Sequence, residues 1–363
     1  MLSLTNYVGE EPTVQLALND LVKPGDFVLD AGAHLGRITE SLSHLVGPEG
    51  LVLAFEASSQ IMIKLRKKIS SRQLHNVYPY HVAVSDRDGL CRLFVHNSHD
   101  GSSTIKGLSE EYLKNCEIVH SISLDLFLKK LNLSRVPSLV KLDIEGAEYE
   151  ALIGMQNLID RHFPHLILEQ GPGLPCLQFL LEKGYIAIDL ASYQLINKLE
   201  DLIHDSFVYN VLFIHKSKID DTPYRNIPFE LNQLQTIPSD FFELKRGSWL
   251  QKEPITLNPG RYLIYFDFDS DNTKVNCHMG IKGIFSYKAT PKTLMSYRNF
   301  MCHFFRPQEI VTFYNFDPKS FFEKLGTKQV DPSFSNHGIK IFKVANWPKE
   351  APLSLKDLVG CVR

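Results

Sequence analysis

Phe27-Val28-Leu29-Asp30-Ala31-Gly32-Ala33-His34-Leu35-Gly36 is the stretch that decides the fold. Three apolar residues running into an acid read as a short strand covered on both faces. A turn with glycine at two places follows, and then a segment in which Ile38, Leu42 and Leu45 recur at helical spacing. Strand, glycine turn and helix open a βαβ unit, and the turn falls at the C-terminal edge of a parallel strand, where open α/β sheets bind ligands. Gly32 is expected to take a positive φ and let a ligand approach the backbone, and Gly36 to let the helix pack close to its strand. His34 stands where the dinucleotide fingerprint G-x-G-x-x-G needs its second glycine, which disfavours close passage of a pyrophosphate.

Working outward, Leu51 to Phe55, Val77 to Val84, Leu139 to Leu142 and Leu166 to Leu168 read as further short strands. Apolar stripes at Val14, Leu18 and Leu21, at Ile61, Leu65 and Ile69, and at Leu152, Met155 and Ile159 read as helices between them. Gln178 to Lys183 reads as a helix stopped by Gly184, followed by a strand pair, Ile186 to Ile188 and Val208 to His215. The expected class is therefore α/β with a mostly parallel sheet over residues 1–216. Residues 217–237, with Asp220-Asp221-Thr222-Pro223 and Asn226-Ile227-Pro228, read as a linker. Beyond it, Arg261 to Phe268, Glu309 to Phe316 and Gly338 to Val344 alternate as strands do, so 238–363 is expected to be a smaller, mainly β accessory domain, a small sandwich. Its aromatics, Tyr297, Phe300, Phe304, Phe305, Phe313, Tyr314 and Phe316, read first as core and as a homo-oligomer interface. Exposed Tyr or Trp there, Trp249 and Trp347 among them, stacking on sugar rings is the second reading.

Composition narrows the class. Over 363 residues, 39 Lys and Arg against 41 Asp and Glu leave a net charge of -2, which gives no footprint for a nucleic-acid backbone. No apolar run approaches the ~20 residues of a membrane span, and Met1 to Glu11 has no basic region ahead of an apolar one, so the chain is expected to be soluble and cytoplasmic. The six cysteines are far apart with no C-x-x-C pair, which suits reduced thiols rather than zinc or a disulfide frame.

The chemistry concentrates at strand ends. Glu56 ends the second strand, where a carboxylate can accept hydrogen bonds from both hydroxyls of a ribose. With Asp30 also acidic, the first two strand ends suit a cofactor carrying ammonium and sulfonium groups, which describes S-adenosylmethionine. Asp86, in Ala83-Val84-Ser85-Asp86, reads equally as an acceptor for the adenine amine or as a turn residue. Asp143, Glu145 and Glu148 crowd like charge where the fourth strand meets a helix. The helix dipole accounts for Glu145 and Glu148 but less well for Asp143, which sits at the strand tip.

These stretches, with Ala54-Phe55-Glu56, Ser123-Leu124-Asp125, Val140 to Glu148 (V-K-L-D-I-E-G-A-E), Pro164 to Glu169 and Tyr209-Asn210 leading into Leu212-Phe213-Ile214, resemble the FkbM family of S-adenosylmethionine-dependent methyltransferases over roughly residues 7–215. The resemblance implies a Rossmann-like sheet of seven strands with the last antiparallel, and O-methylation of a hydroxyl on a sugar, glycan or natural product. Ala57 departs from the proline that the family often carries after the ribose-binding acid. The cofactor contacts assigned on this basis are Asp30, Gly32, Ala33, His34, Gly36, Glu56, Ala57, Ala83, Asp86 and Asp143. His34 has two readings, contact with the cofactor's carboxylate or filling of the turn.

Methyl transfer needs donor and acceptor aligned and the acceptor proton removed. Asp143 is the first candidate for that work, with Glu145, Glu148 and Glu169 on the same edge. A divalent cation held by Asp143 and Glu169 is the less favoured route. The rival function is a non-catalytic binding or scaffold protein that keeps the fold. A nicotinamide-dependent oxidoreductase is disfavoured by His34.

Overall fold

The computed structural model describes residues 12–96, 103–107, 109–110, 113–170, 175–190, 193–198, 209–229, 231–245, 248–258, 260–269, 276–281, 299–304, 308–315, 335–345 and 347. In chain order, α1 (Pro12–Leu21) leads into β1 (Phe27–Ala31), α2 (Arg37–Val46), β2 (Leu51–Glu56), α3 (Ser59–Ser71) and β3 (Val77–His81). Next come β4 (Ala83–Val84), β5 (Gly89–His96), β6 (Leu113–Ile122), α4 (Leu124–Leu131), β7 (Leu139–Leu142), α5 (Glu148–Gly154) and α6 (Gln156–His162). The unit ends with β8 (His165–Gln170), α7 (Cys176–Glu182), β9 (Tyr185–Asp189), β10 (Leu195–Ile196) and β11 (Tyr209–His215).

One sheet runs β10-β9-β11-β8-β7-β1-β2-β3, reversing its direction of growth between β1 and β7. β1 pairs in parallel with both β2 and β7, while β11 runs antiparallel between β8 and β9, so the antiparallel last strand stands where the resemblance placed it. The two-residue β10 adds a short antiparallel edge beyond the strands expected.

Two-residue alternation sends neighbouring side chains to opposite faces. Val28, Val52, Ile167 and Leu212 join α1, α2 and α3 in one core, whereas Leu29, Leu53, Val140, Leu168 and Phe213 join α4 to α7 in the other. The same alternation places Asp30, Lys141 and Glu169 on the α1–α3 face, each two residues beyond an apolar member of that core: Val28, Leu139 and Ile167.

The single strand expected over Val77 to Val84 is broken at Val82: β3 stays in the large sheet and β4 joins a small one, ordered β4-β6-β5. β5 and β6 form an antiparallel pair that the sequence reading missed. Its outer face carries exposed apolar residues, Leu90 and Ile118, which blur the in-out alternation.

The expected linker is shorter than 217–237. Two 3-10 turns, Lys216–Asp221 and Pro223–Asn226, pack Tyr224 into the interior, and β12 (Leu231–Ile237) is already a strand. There follow β13 (Phe242–Lys245), β14 (Ser248–Gln251), β15 (Ile255–Leu257), β16 (Gly260–Asp269), β17 (Asn276–Ile281), β18 (Asn299–Phe304), β19 (Gln308–Asn315) and β20 (Ser335–Val344). They form antiparallel sheets ordered β12-β20-β16-β18 and β13-β14-β19-β15, with β17 also on β19.

Phe300, Phe304, Phe313 and Tyr314 lie on strands of this segment, while Tyr297, Phe305 and Phe316 lie outside the described residues. Trp347 is no free sugar platform. The Arg261 guanidinium lies 3.9 Å from the centroid of its ring, and Tyr224 and Phe229 meet it edge-on. Arg261 is 2% exposed; it donates to Asp20 Oδ1 of α1 at 2.7 Å and to the Tyr193 hydroxyl at 3.0 Å. This polar knot fastens the β-rich segment to the first helix. Among the described residues no helix is long and apolar enough to cross a membrane.

Candidate functional site

The reversal between β1 and β7 leaves a crevice at the strand tips, the usual ligand position in an open α/β sheet. A cavity of about 260 Å³ lies there, lined by the turn after β1, the tips of β2, β7 and β8, and residues of the inserted hairpin region. Its volume is close to the lower end of the ~300–1,000 Å³ usual for small-molecule sites.

The β1 turn is held from two sides. Gly32 and Ala33 donate backbone N–H bonds to the Phe55 carbonyl on β2, at 3.0 and 2.9 Å. Gly32 has φ 79°, and a Cβ there would stand 1.7 Å from the Asp143 carbonyl oxygen. The close neighbour that demands glycine is therefore the β7 backbone. Gly36, φ 73°, is favoured by its left-handed backbone, and the atom nearest a Cβ there would be the movable end of Leu65 on α3, Cδ1 at 2.5 Å. Of the six left-handed residues other than glycine among the described residues, two belong to this site, His34 with φ 47° and Glu145 with φ 56°. Both line the cavity from facing loops, and such backbone strain concentrates at functional sites.

Glu56 closes β2 and faces the cavity. Its carboxylate accepts from the backbone N–H of His34 at 2.9 Å and of Ser58 at 2.7 Å, and lone pairs remain for a ligand. Burial pushes this carboxyl up to about 7, against the lowering effect of the bonds from Ser58 and His34. The Ser103 hydroxyl, on the cavity wall, has no protein partner among the described residues, so a ligand's polar group would satisfy it. Asp30 lies beneath the site rather than in its wall. It is fully buried, Oδ2 accepts from the Thr39 hydroxyl at 2.5 Å, and burial raises its carboxyl while Lys141 lowers it.

At the β7 tip, Asp143, Glu145 and Glu169 bring carboxylate oxygens within 4.8 Å of one another. Burial alone would raise Asp143. The Lys141 ammonium, 2.7 Å from its Oδ2, and a hydrogen bond from Glu169 hold it below the ordinary carboxylate range instead. Glu169 is the opposite case, pushed up to about 10 by burial, by donating its proton to Asp143 and by Asp143's charge. Glu145 is raised to about 7 by burial and by the charges of Asp143 and Glu148. The two shifts run in opposite directions, favouring charge on Asp143 and the proton on Glu169, the kind of separation that assigns base and acid roles in an active site.

Of the residues assigned from sequence, Gly32, Ala33, His34, Glu56, Ala57, Ala83 and Asp143 line the cavity, as do Glu145 and Glu169. Asp30, Gly36 and Asp86 are not among the lining residues. Asp86 accepts from its neighbour Ser85 at 3.2 Å and pairs with Arg87 at 3.4 Å, which favours the turn reading. Glu148 serves the loop, accepting from the N–H of Ile144 at 2.9 Å and of Gly146 at 3.3 Å. Asp125 caps α6 by accepting from Asn157 and Leu158 backbone N–H, at 2.7 and 3.0 Å. Sequence reasoning missed Lys141, whose signal was a cation inside an otherwise apolar strand. It also missed Ser103 and Ile105, which reach the wall only through the hairpin fold and had no local signal.

A doubly wound sheet with an acid at the β2 tip and an acid cluster at the β7 tip defines the class: an α/β protein with the class I methyltransferase-like fold. Residues 30–187 match the family model of the methyltransferase FkbM domain.

Among solved structures, the methyltransferase FkbM from Methylobacillus flagellatus KT is 12% identical, with TM-score 0.36; the match covers 55% of this chain and 50% of that one. The chain thus matches about half the length of that relative. An rRNA methylase from Streptococcus thermophilus is 14% identical, TM-score 0.34, over 56% of this chain and 93% of its own. A SAM-dependent methyltransferase from Aquifex aeolicus is 14% identical, TM-score 0.33, over 59% and 93%. No curated protein matches the chain.

Proposed function

We propose that the protein is an S-adenosylmethionine-dependent methyltransferase acting on a hydroxyl of a sugar, glycan or natural product. The observation that carries this reading is a single cavity with a ribose-type acceptor, Glu56, on one side of the β1 turn and a carboxylate base beside a protonated acid, Asp143 and Glu169, on the other. S-adenosylmethionine, when bound, supplies a methyl group on a positively charged sulfur. The Glu56 carboxylate has the geometry to accept from ribose hydroxyls, and the β1 turn shapes the adjoining wall. Asp143, ionised, accepts the proton of the attacking hydroxyl, a role for which Glu169 is unsuited while it keeps its own. Most of the rate enhancement falls to alignment of the two reactants in the crevice.

Calorimetric titration of the whole chain with S-adenosylhomocysteine, with NAD as control, tests this reading. Saturable binding of the homocysteine nucleoside, weakened about tenfold or more in Glu56→Ala through loss of charge-assisted hydrogen bonds, is the expected result. Binding of neither nucleotide would overturn it in favour of a scaffold that keeps the fold.

A further inference from the structure

Lys141 interrupts the apolar run of β7 and is 2% exposed, a rare position for an ammonium without a task. In register it stands opposite Asp30 of β1, and two residues on along its own strand it contacts Asp143 at 2.7 Å. It lines the same cavity as Asp143, Glu145 and Glu169. One buried cation therefore sits among four acids, Asp30 of β1, Glu169 of β8, and Asp143 and Glu145 of the loop after β7. Three of those acids are spaced closely enough to hold a metal ion.

We propose that Lys141 is a positioning residue whose ammonium is the resident cation of this acid cluster: it fixes the Asp143 carboxylate and occupies the charge position that a divalent metal would otherwise fill. An ammonium has three donors and a fixed tether, so it can orient a carboxylate without the oxygen-rich coordination shell that a hard metal demands. The proposal rests on the reading of Asp143 as the base, but its central claim concerns the cation and can be tested without a methyl acceptor.

Mn²⁺ binding to the whole chain, followed by electron paramagnetic resonance and calorimetry, reads it directly. The wild type is expected to bind no Mn²⁺ at the cluster at millimolar concentration. Lys141→Met should bind one ion at least tenfold more tightly, and Asp143→Asn in that background should abolish the gain. Lys141→Arg, which keeps a cation, should exclude Mn²⁺ as the wild type does. Thermal unfolding and far-ultraviolet circular dichroism establish that each variant is folded. A wild-type Mn²⁺ site that Asp143→Asn removes would overturn the proposal, whatever the fate of Lys141→Met. A folded Lys141→Met that gains no site would overturn it as well. Failure of S-adenosylhomocysteine to bind any form would instead strike the proposed function and leave the cation result standing.

Discussion

Glu56 titrates where an assay can follow it. Its carboxyl is held at about 7, and only the ionised form offers acceptors to two ligand hydroxyls, so S-adenosylhomocysteine affinity should rise between about pH 6 and pH 8. Glu56→Gln should flatten that rise in calorimetric titrations. Glu169 has the same sign in stability. Its folded-state value, about 10, exceeds the unfolded value, so its contribution is full at acid pH and is lost as pH climbs toward that value. Melting temperature should therefore fall between about pH 5 and pH 9, less steeply in Glu169→Gln. Thr39 donates to the buried Asp30, and Thr39→Val should cost about 1–3 kcal/mol in urea unfolding, because a buried acceptor loses its donor. The acids at strand tips were legible in the sequence because an acid ending an apolar strand is conspicuous. The division of labour among them was not. Asp30, Glu148 and Asp125 are acids of the same kind that serve structure, and only register and burial separate them from Glu56 and Asp143.

The turn after β1 and the tip of β7 act as one element, because the Gly32 position touches the Asp143 carbonyl. Gly32→Ala should cost ~1–2 kcal/mol from left-handed backbone alone and more from the forced separation of the two tips. Nucleoside binding should weaken along with stability, which calorimetry and thermal unfolding together would report. The alternating strands and helices of this region were readable because apolar runs and helical stripes are local patterns. The β5–β6 hairpin was not, since its pairing spans a long excursion and its outer face mixes apolar with polar residues. The break at Val82 escaped for a related reason: strand composition says nothing about which sheet a strand will join.

The β-rich segment is tied to the α/β unit outside the cavity lining, where Arg261 of β16 meets Asp20 of α1 among the rings of Tyr193, Tyr224 and Trp347. Arg261→Met would leave Asp20 buried without its cation, and breaking such a pair from one side costs about 3–5 kcal/mol. Chemical denaturation should show that loss in the α/β region as well as in the β-rich one. Among the described residues, the first and last strands of the β-rich segment pair with each other, Leu231 of β12 opposite Val344 of β20. During synthesis the ribosome would therefore release the strands of the large mixed sheet, with Asp20 and Tyr224 already made, well before β20, which pairs with β12, has emerged. Until Arg261 and Trp347 arrive, the nascent chain carries a polar wound on its first helix, and long-range pairings of this kind form slowly. Such late closure leaves the unsatisfied Asp20 open to misassembly.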